Sequence, residues 1–247
     1  PQAPYPYEEL VAASAARDRD QPEPELQDTG IFADDRFFDV TVEYAKATPD
    51  DLRMRVTVVN HGPDPAEIHV LPTLWFRNTW SWGRDDRRPT LHADNNDIRA
   101  SHHQLGEFIL ECPDADELLF TNNESNRALL WGVENVTPYV KDGFHRHLVD
   151  REANAVDPAQ TGTKAAALHT LTLAPGESRS IDLRLCRCPQ DTAPEPQDAE
   201  ALFDLRRREA DEFYAALHPA SLGADERQIM RQALAGMLWN KQFYHYI

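Results

Sequence analysis

The sequence AEIHVLPTLWFRNTWSWG, residues 66–83, changes from a strand pattern to a surface pattern within a few positions. Its first half carries apolar residues at the spacing of a strand, and Pro72 indicates a bulge or an edge position. Neighbouring side chains of a strand point to opposite faces, so only one of Trp75 and Phe76 can enter a core. We expect Phe76 to be the core residue, because it fits the apolar register better.

The second half of this stretch places two indoles beside hydrogen-bonding groups. Arg77 and Asn78 precede Trp80 and Trp82, with hydroxyl residues between them. A core strand does not need this mixture, whereas a surface that meets a sugar or a polar partner domain can use all of it. The tryptophans would stack on pyranose rings, with the arginine and the amide reaching hydroxyls. Alternatively, both tryptophans only cover the end of a sheet.

Patterns with a period of two predict antiparallel strands on both sides of this stretch. Residues 38–44 and 52–58 alternate around a Thr-Pro-Asp-Asp turn, and an Asn-His-Gly-Pro turn leads into residues 67–76. The clearest hairpin joins residues 167–173 to residues 181–185. Weaker strands are predicted at residues 107–111, 117–121 and 128–133.

The connections between these strands are polar. Residues 84–103 predict an excursion or a paired hairpin rather than core, and residues 134–163 are irregular. Many strands at short spacing without βαβ alternation favour a mainly β fold, an antiparallel β-sandwich, over residues 26–190. Residues 1–25, which contain a short helical pattern, are predicted to be an extended N-terminal connector.

Two helices are predicted in the C-terminal segment, residues 191–247. Asp198 is a candidate cap for the first helix, which His218-Pro219 ends. The second helix begins near Ala224 and is apolar on nearly every side, so we expect other elements to surround it. No stop signal precedes Ile247, and residue 1 is not methionine, so we expect the chain to be part of a longer protein.

The composition excludes several classes of partner. Lys and Arg number 25 against 42 Asp and Glu, a formal net charge of −17. Nucleic acids and anionic membranes need a basic surface, so neither is predicted as a partner. The sequence has no long apolar run and no signal peptide, and Cys112, Cys186 and Cys188 are read as unpaired thiols, which together predict a cytoplasmic location.

No catalytic motif is recognisable. The sequence has no G-x-S-x-G nucleophile elbow and no Gly-rich phosphate loop. The pairs His102-His103 and His145-x-His147 have no third ligand and are read as ordinary polar histidines rather than as a metal site. Paired carboxylates abound in so acidic a chain and identify no acid and base. We therefore predict no catalytic residue, no metal and no cofactor in this chain.

Six ordered segments resemble one family. LQDTGIFADDRFFDVTVEYAKATPDDL, HVLPTLWFRNTWSWG, LLFTNNESN, PYVKDGFHRHLV, AVDPAQTGTKAAA and IMRQALAGMLWNKQFY are similar to segments of the bacterial glucosidase-like glycoside hydrolases related to processing α-glucosidase I (mannosyl-oligosaccharide glucosidase). The resemblance runs from about residue 26 to the end. It implies a β-sandwich of the super-sandwich type that precedes an (α/α)6 barrel, whose carboxylates hydrolyse α-glucosidic bonds with inversion.

The resemblance also implies what this chain lacks and what it does. It places residues 229–246 at the first helix of the barrel, so the catalytic carboxylates lie outside this chain. The chain is then a non-catalytic sandwich that braces the barrel of its own parent chain. It would lend two loops to the oligosaccharide-binding mouth, with the candidate contacts Arg77, Asn78, Trp80, Trp82, Tyr139, Lys141 and Asp142.

Two other functions remain open from the residues alone. One is an independent carbohydrate-binding module with Trp80 and Trp82 as its platform. The other is a sandwich used only for contacts between domains or subunits, whose apolar helix drives association.

Overall fold

The computed structural model describes residues 1–83, 86–188 and 198–240. The chain divides into two units, Pro1–Ala193 and Pro194–Ile247. Residues 189–196, whose proline-rich sequence predicts a linker, lie outside the described residues. The helices and strands of the first unit are α1 (Tyr7–Ala15), β1 (Phe38–Thr48), β2 (Asp51–Asn60), β3 (Ala66–Val70), β4 (Thr73–Trp75), β5 (Thr90–Asp94), β6 (Asp97–His102), β7 (Gly106–Glu111), β8 (Glu117–Thr121), α2 (Arg127–Trp131), α3 (Gly143–Leu148), β9 (Thr161–Gly162), β10 (Lys164–Leu173) and β11 (Ser178–Arg187).

The strands form two antiparallel sheets, which confirms the mainly β prediction. The larger sheet has the order β1-β2-β11-β7-β6-β5-β9. In the smaller sheet β10 is central, with β8 along one edge and β3 and β4 along the other. Apolar residues of both sheets share one buried cluster, which includes Val58, Ile98, Phe120, Leu173 and Leu183.

The predicted strand at residues 67–76 is observed as β3 and β4, in one register against β10. Val70 pairs with His169 and Thr73 with Ala166, so the break at Pro72 shifts no pairing. Proline has no N–H to donate, but the Pro72 carbonyl accepts a hydrogen bond from Ala167 N–H at 3.1 Å. The strand lies at an edge, and of the two readings of Pro72 the edge position is therefore confirmed.

The prediction for residues 84–103 was wrong in part, and the strand predicted at residues 128–133 was wrong. Residues 90–102 form the hairpin β5–β6, which confirms the hairpin reading, but Leu91 and Ile98 are completely buried, so this hairpin contributes to the core. Residues 127–131 form the helix α2 instead of a strand. The Asn126 side chain caps α2 by accepting from Leu129 N–H at 3.0 Å, and Gly132 ends it in the left-handed conformation. Residues 84 and 85 lie outside the described residues.

Strand β1 has the predicted alternation, which indicates one buried face, but its valines are not buried. Val40 and Val42 pair with Val58 and Val56, so they lie on the core side of the larger sheet. Both nevertheless remain exposed, as does Tyr44. The burial of an apolar face depends on the width of the opposing layer, which the pattern of a single strand does not report.

The second unit consists of two helices, α4 (Ala199–Leu217) and α5 (Ala224–Trp239). Asp198 caps α4 by accepting from Glu200 N–H at 3.1 Å, as predicted. Arg231 of α5 lies 2.5 Å from Asp211 of α4 and over the ring of Tyr214. No residue of α5 is buried. The predicted continuation of this helix beyond residue 240 lies outside the described residues.

The three cysteines are free thiols, as predicted, and Cys112 and Cys186 are buried. Burial, followed by the nearby charge of Asp97, raises the pKa of the Cys112 thiol to about 12. Among the described residues, no helix combines the length and the apolar character that a bilayer crossing requires.

A buried ion pair joins the neighbouring strands β2 and β11 of the larger sheet. The Arg184 guanidinium of β11 donates to both carboxylate oxygens of Asp51 in β2, at 3.1 and 2.8 Å. Both residues are only 7% exposed. The carboxylate raises the pKa of Arg184 well above its usual range, because it stabilises the charged form.

We expect Arg184→Leu to lower the free energy of unfolding by about 3–5 kcal/mol, because the Asp51 carboxylate would stay buried without its partner. Chemical denaturation measures this change. The control is Arg36→Leu, which breaks a largely exposed pair with Asp64 and should cost about 1 kcal/mol or less. Equal losses in the two variants would contradict a structural role for the buried pair.

Candidate functional site

Three segments that are distant in sequence meet at Thr163, the residue before β10. Its N–H donates to the carbonyl of Thr121 at 3.1 Å, and its own carbonyl accepts from Phe76 N–H at 3.1 Å. Its hydroxyl accepts from Asn123 N–H at 2.8 Å. Thr163 is buried, so these hydrogen bonds replace water for every polar group involved.

Two glycines allow the close packing around this point. A β-carbon on Gly162 would lie 2.2 Å from the carbonyl oxygen of Thr121. A β-carbon on Gly143 would lie 2.3 Å from the carbonyl oxygen of Ala155. The close approach of two backbones therefore requires glycine at both positions, in T-G-T-K and in K-D-G-F. The sequence alone does not reveal this requirement.

The segment N-N-E-S-N, residues 122–126, connects the aromatic loop, residues 77–82, to Thr163. The amide nitrogen of Asn78 donates to the carbonyl of Asn123 at 3.0 Å. The side chain of Asn123 in turn donates to the carbonyl of Phe76 at 2.8 Å. The indole N–H of Trp80 donates to the Glu124 carboxylate at 3.1 Å.

The same segment binds the second candidate loop, residues 139–142. Asn122 N–H donates to the carbonyl of Tyr139 at 2.9 Å, and Lys141 N–H donates to the carbonyl of Glu124 at 2.9 Å. The two loops proposed from the sequence as substrate contacts are therefore attached to one common segment.

Lys164 holds the second loop from its other side. Its Nζ donates to the carbonyl of Lys141 at 2.6 Å and lies 4.6 Å from the ring centre of Phe144. Burial, together with the charge of Lys141, lowers the pKa of Lys164. The ammonium is thus directed at the protein backbone rather than at solvent.

Three of the seven predicted contact residues, Asn78, Trp80 and Asp142, use their polar groups inside the protein. The Asn78 side chain donates to the carbonyl of Asn123 and accepts from Ser81 N–H at 3.1 Å, so its nitrogen and its oxygen both bond within the protein. Asp142 Oδ2 accepts from the side chain of Asn126 at 2.9 Å and lies 3.4 Å from Nε of Arg146. Asp142 Oδ1 is buried and has no hydrogen-bond partner.

The two indoles of the aromatic loop differ in accessibility. Trp80 is half-buried, its N–H is bound by Glu124, and the Arg88 guanidinium lies 5.4 Å from its ring centre. Trp82 is 52% exposed, with the Arg77 guanidinium 5.1 Å from its ring centre. Trp82 therefore offers more surface to a ligand. Phe76 packs against the core while Trp75 is exposed, which confirms the register predicted from the sequence.

The remaining predicted contacts present groups at the surface. Arg77 and Lys141 are exposed, and Tyr139 is partly exposed. Together with Trp82 they supply a ring face, a phenol and two cationic groups. A sugar uses such groups for stacking and hydrogen bonding.

Arg88, Glu124, Thr163 and Lys164 support the site but were assigned no role from the sequence. Their side-chain hydrogen bonds join positions that are 23–44 residues apart, so no local spacing shows them. The available signal was indirect, since the segments LLFTNNESN and AVDPAQTGTKAAA carry the family resemblance although neither contains an obvious motif.

An exposed apolar surface is attached to the same segment. Asn126 caps α2 and also accepts from the side chain of Asn135 at 3.2 Å. The α2 patch, as we call this surface, consists of Leu129, Leu130, Trp131, Val133 and Val136, all of which are exposed. A run of exposed large apolar side chains is typical of a contact surface.

Both histidine pairs lie near this cluster of contacts: His102 packs on Phe76, and His145 and His147 belong to α3, which follows the loop of residues 139–142. His102 stacks on Phe76 and on His103, with ring centres 5.4 and 4.4 Å apart. Burial lowers the pKa of His102, because the charged imidazolium loses hydration. Within residues 1–83, 86–188 and 198–240, no three His, Cys, Asp or Glu side chains are grouped so that they could hold a metal ion.

Comparisons with known proteins identify a yeast protein that is similar to this chain. No protein-family model matches the chain. The chain is 32% identical over 287 aligned residues to the uncharacterized protein YMR196W of Saccharomyces cerevisiae, and the match covers 98% of this chain. It covers 26% of the yeast protein, so the chain spans about a quarter of the length of this relative.

We expect Gly162→Ala to lower the free energy of unfolding by about 1–3 kcal/mol, because the new methyl group would overlap the backbone of Thr121. The matched control is Gly236→Ala in α5, where a β-carbon meets nothing within 4 Å. Helix propensity predicts that this control is neutral or stabilising by about 1 kcal/mol. Urea denaturation of both variants measures the difference, and an unchanged Gly162→Ala midpoint would contradict the close packing.

Proposed function

We propose that this chain is the non-catalytic N-terminal β-sandwich part of an inverting, α-glucosidase-like glycoside hydrolase related to processing α-glucosidase I. In this proposal it braces the (α/α)6 catalytic barrel of its parent chain and lends two loops to the oligosaccharide-binding mouth. The observation that carries the proposal is the meeting of four resembling segments around Thr163, through hydrogen bonds of 2.6–3.1 Å.

The sheets support the sandwich part of the proposal. Two antiparallel sheets contribute side chains to one core, as expected for a β-sandwich of the super-sandwich type over residues 26–190. The helix α5 would then be the first helix of the barrel. A cytoplasmic location stays a prediction.

The uncovered apolar surfaces support the bracing role. Helix α5 exposes Ile229, Met237, Leu238 and Trp239, and the α2 patch lies beside the loop cluster. Burying such side chains stabilises an interface by about 25 cal/mol per Å² of apolar area. A carbohydrate-binding module that acts alone would have no use for either surface.

The predicted sugar contacts divide into two roles. We assign direct contact with an oligosaccharide to Trp82, Arg77, Tyr139 and Lys141, which present groups at the surface. Asn78, Trp80 and Asp142 hold the loops in place through the contacts described above. An oligosaccharide bound here would touch both loops.

The carboxylates of the site support a non-catalytic role. Glycosidases need one protonated carboxyl group to act as the acid. Glu124 lies 3.0 Å from Arg88, and Asp142 lies 3.4 Å from Arg146. Both carboxylates are therefore engaged with arginines of the protein itself.

We expect this chain alone to release no glucose from maltose, nigerose or kojibiose, three glucose disaccharides that differ in linkage. The product of the complete open reading frame should hydrolyse at least one of them. A coupled glucose assay on both proteins measures this. Turnover by the isolated chain would overturn the non-catalytic assignment, and an inactive complete protein would contradict the glycosidase assignment.

A second function, an independent carbohydrate-binding module, is favoured by the exposure of Trp82. It predicts that the isolated chain binds a glucose oligosaccharide with micromolar affinity and that Trp82→Ala abolishes binding. Tryptophan fluorescence during a maltotriose titration measures the affinity. The bracing role instead predicts that the isolated chain binds the sugar much more weakly than micromolar until the barrel is present. It also predicts that changing Leu129 and Leu130 to Asp weakens barrel association without changing the fold.

A further inference from the structure

We propose that Glu124 is the positioning residue of this site: it locks the aromatic loop and the loop of residues 139–142 into one unit, so that a single sugar chain contacts both. This inference rests on the proposed function for the identity of the ligand. The locking itself is a property of the chain and can be measured without any sugar.

The side chain of Glu124 forms one half of the lock. It is only 11% exposed and lies between two partners, Nη2 of Arg88 at 3.0 Å and the indole N–H of Trp80 at 3.1 Å. Arg88 closes the arrangement, because its guanidinium also lies over the ring of Trp80. Glu124, Arg88 and Trp80 together are called the Glu124 clamp below.

The backbone of Glu124 forms the other half. Its carbonyl accepts from Lys141 N–H at 2.9 Å, and its N–H donates to the carbonyl of Asn122 at 2.8 Å. Arg88 also donates to the side chain of Asn122, at 2.6 Å. A single residue therefore fixes the aromatic loop through its carboxylate and the second loop through its main chain.

The clamp sets the direction of the accessible indole. Trp80 begins the short 3-10 turn Trp80–Trp82, in which Trp82 N–H donates to the carbonyl of Thr79 at 3.3 Å. Trp82 is thus two residues from a side chain whose position Glu124 determines. The distance between the Trp82 ring and Lys141 then depends on Glu124, although Glu124 itself is too buried to be a platform for sugar.

The chemistry of the clamp predicts a graded response to substitution. Both bonds to the carboxylate involve a charged group, and such bonds contribute more than neutral ones. Glu124→Ala removes both of them and leaves the Arg88 guanidinium without its anion. Glu124→Gln keeps an oxygen acceptor for the indole but loses the charge, so it should restore part of the function.

The test combines two measurements on the same variants. Fluorotryptophan labelling gives one signal for each of the five tryptophans, assigned with Trp80→Phe and Trp82→Phe. Hydrogen exchange reports the protection of residues 76–83 and 137–143. The control is Asp182→Ala, which removes another arginine-paired carboxylate, the partner of Arg55 on the larger sheet.

We expect Glu124→Ala to shift the Trp80 and Trp82 signals and to speed exchange in both loops, because the main chain at residue 124, which bonds Lys141, loses the side-chain contacts that hold it in place. Glu124→Gln should be intermediate and Asp182→Ala unchanged. In the complete protein, KM for its glucoside should rise about tenfold, the loss expected from charged hydrogen bonds, while kcat changes less. A variant that merely destabilises the fold would instead lower kcat, raise KM and lower the melting temperature together.

The results that overturn the inference are separate from those that overturn the proposed function. An unmoved Trp80 signal, or faster exchange in only one of the two loops, would show that Glu124 does not lock them together. If Glu124→Ala loosens both loops but the complete protein acts on no glucoside, the positioning role is upheld. The assigned ligand is then rejected.

Discussion

The arrangement of the loops depends on the close approach of two backbones, at Gly162 and Thr121. Because no side chain fits between them, Thr163 comes near enough to bond the strand end at Thr121 and the loop at Asn123 at once. The Thr163 carbonyl also accepts a hydrogen bond from Phe76 N–H, just after the edge strand ends. These contacts bring the ends of three strands to one place, and the loops that follow two of them meet there.

The stability of the frame and the placement of the loops come from different interactions. The frame rests on the apolar cluster between the sheets and on the buried pair of Arg184 and Asp51. The loops rest on hydrogen bonds made by asparagines, Glu124 and Lys164. Hydrogen bonds fix direction more strictly than apolar contacts do, which suits loops that must present particular groups.

Local patterns predicted much of the frame. The alternation of apolar residues placed Phe76 rather than Trp75 in the core, and Asp198 capped α4 as its position suggested. The start of the last helix at Ala224 was also predicted. In each case the signal lies within a few residues, where the geometry of a strand or a helix end determines the outcome.

The errors and omissions arose where the deciding contact is distant or where capping outweighs composition. The apolar run in residues 128–133 suggested a strand, but Asn126 and Gly132 supply both ends of a helix. Leu91 and Ile98 lie in a very polar stretch, so their burial was not expected. The exposure of Val40 depends on the width of the opposite sheet, and the role of Glu124 depends on an indole 44 positions away.

The central claim is that residues 77–82 and 139–142 form one sugar-contacting surface. The most direct measurement is chemical-shift mapping of the isotopically labelled chain during titration with maltotriose at high concentration. The account predicts that signals of Trp82, Tyr139 and Lys141 move together with one apparent dissociation constant. Shifts confined to one loop, or the absence of any shift in both at saturating sugar, would contradict it.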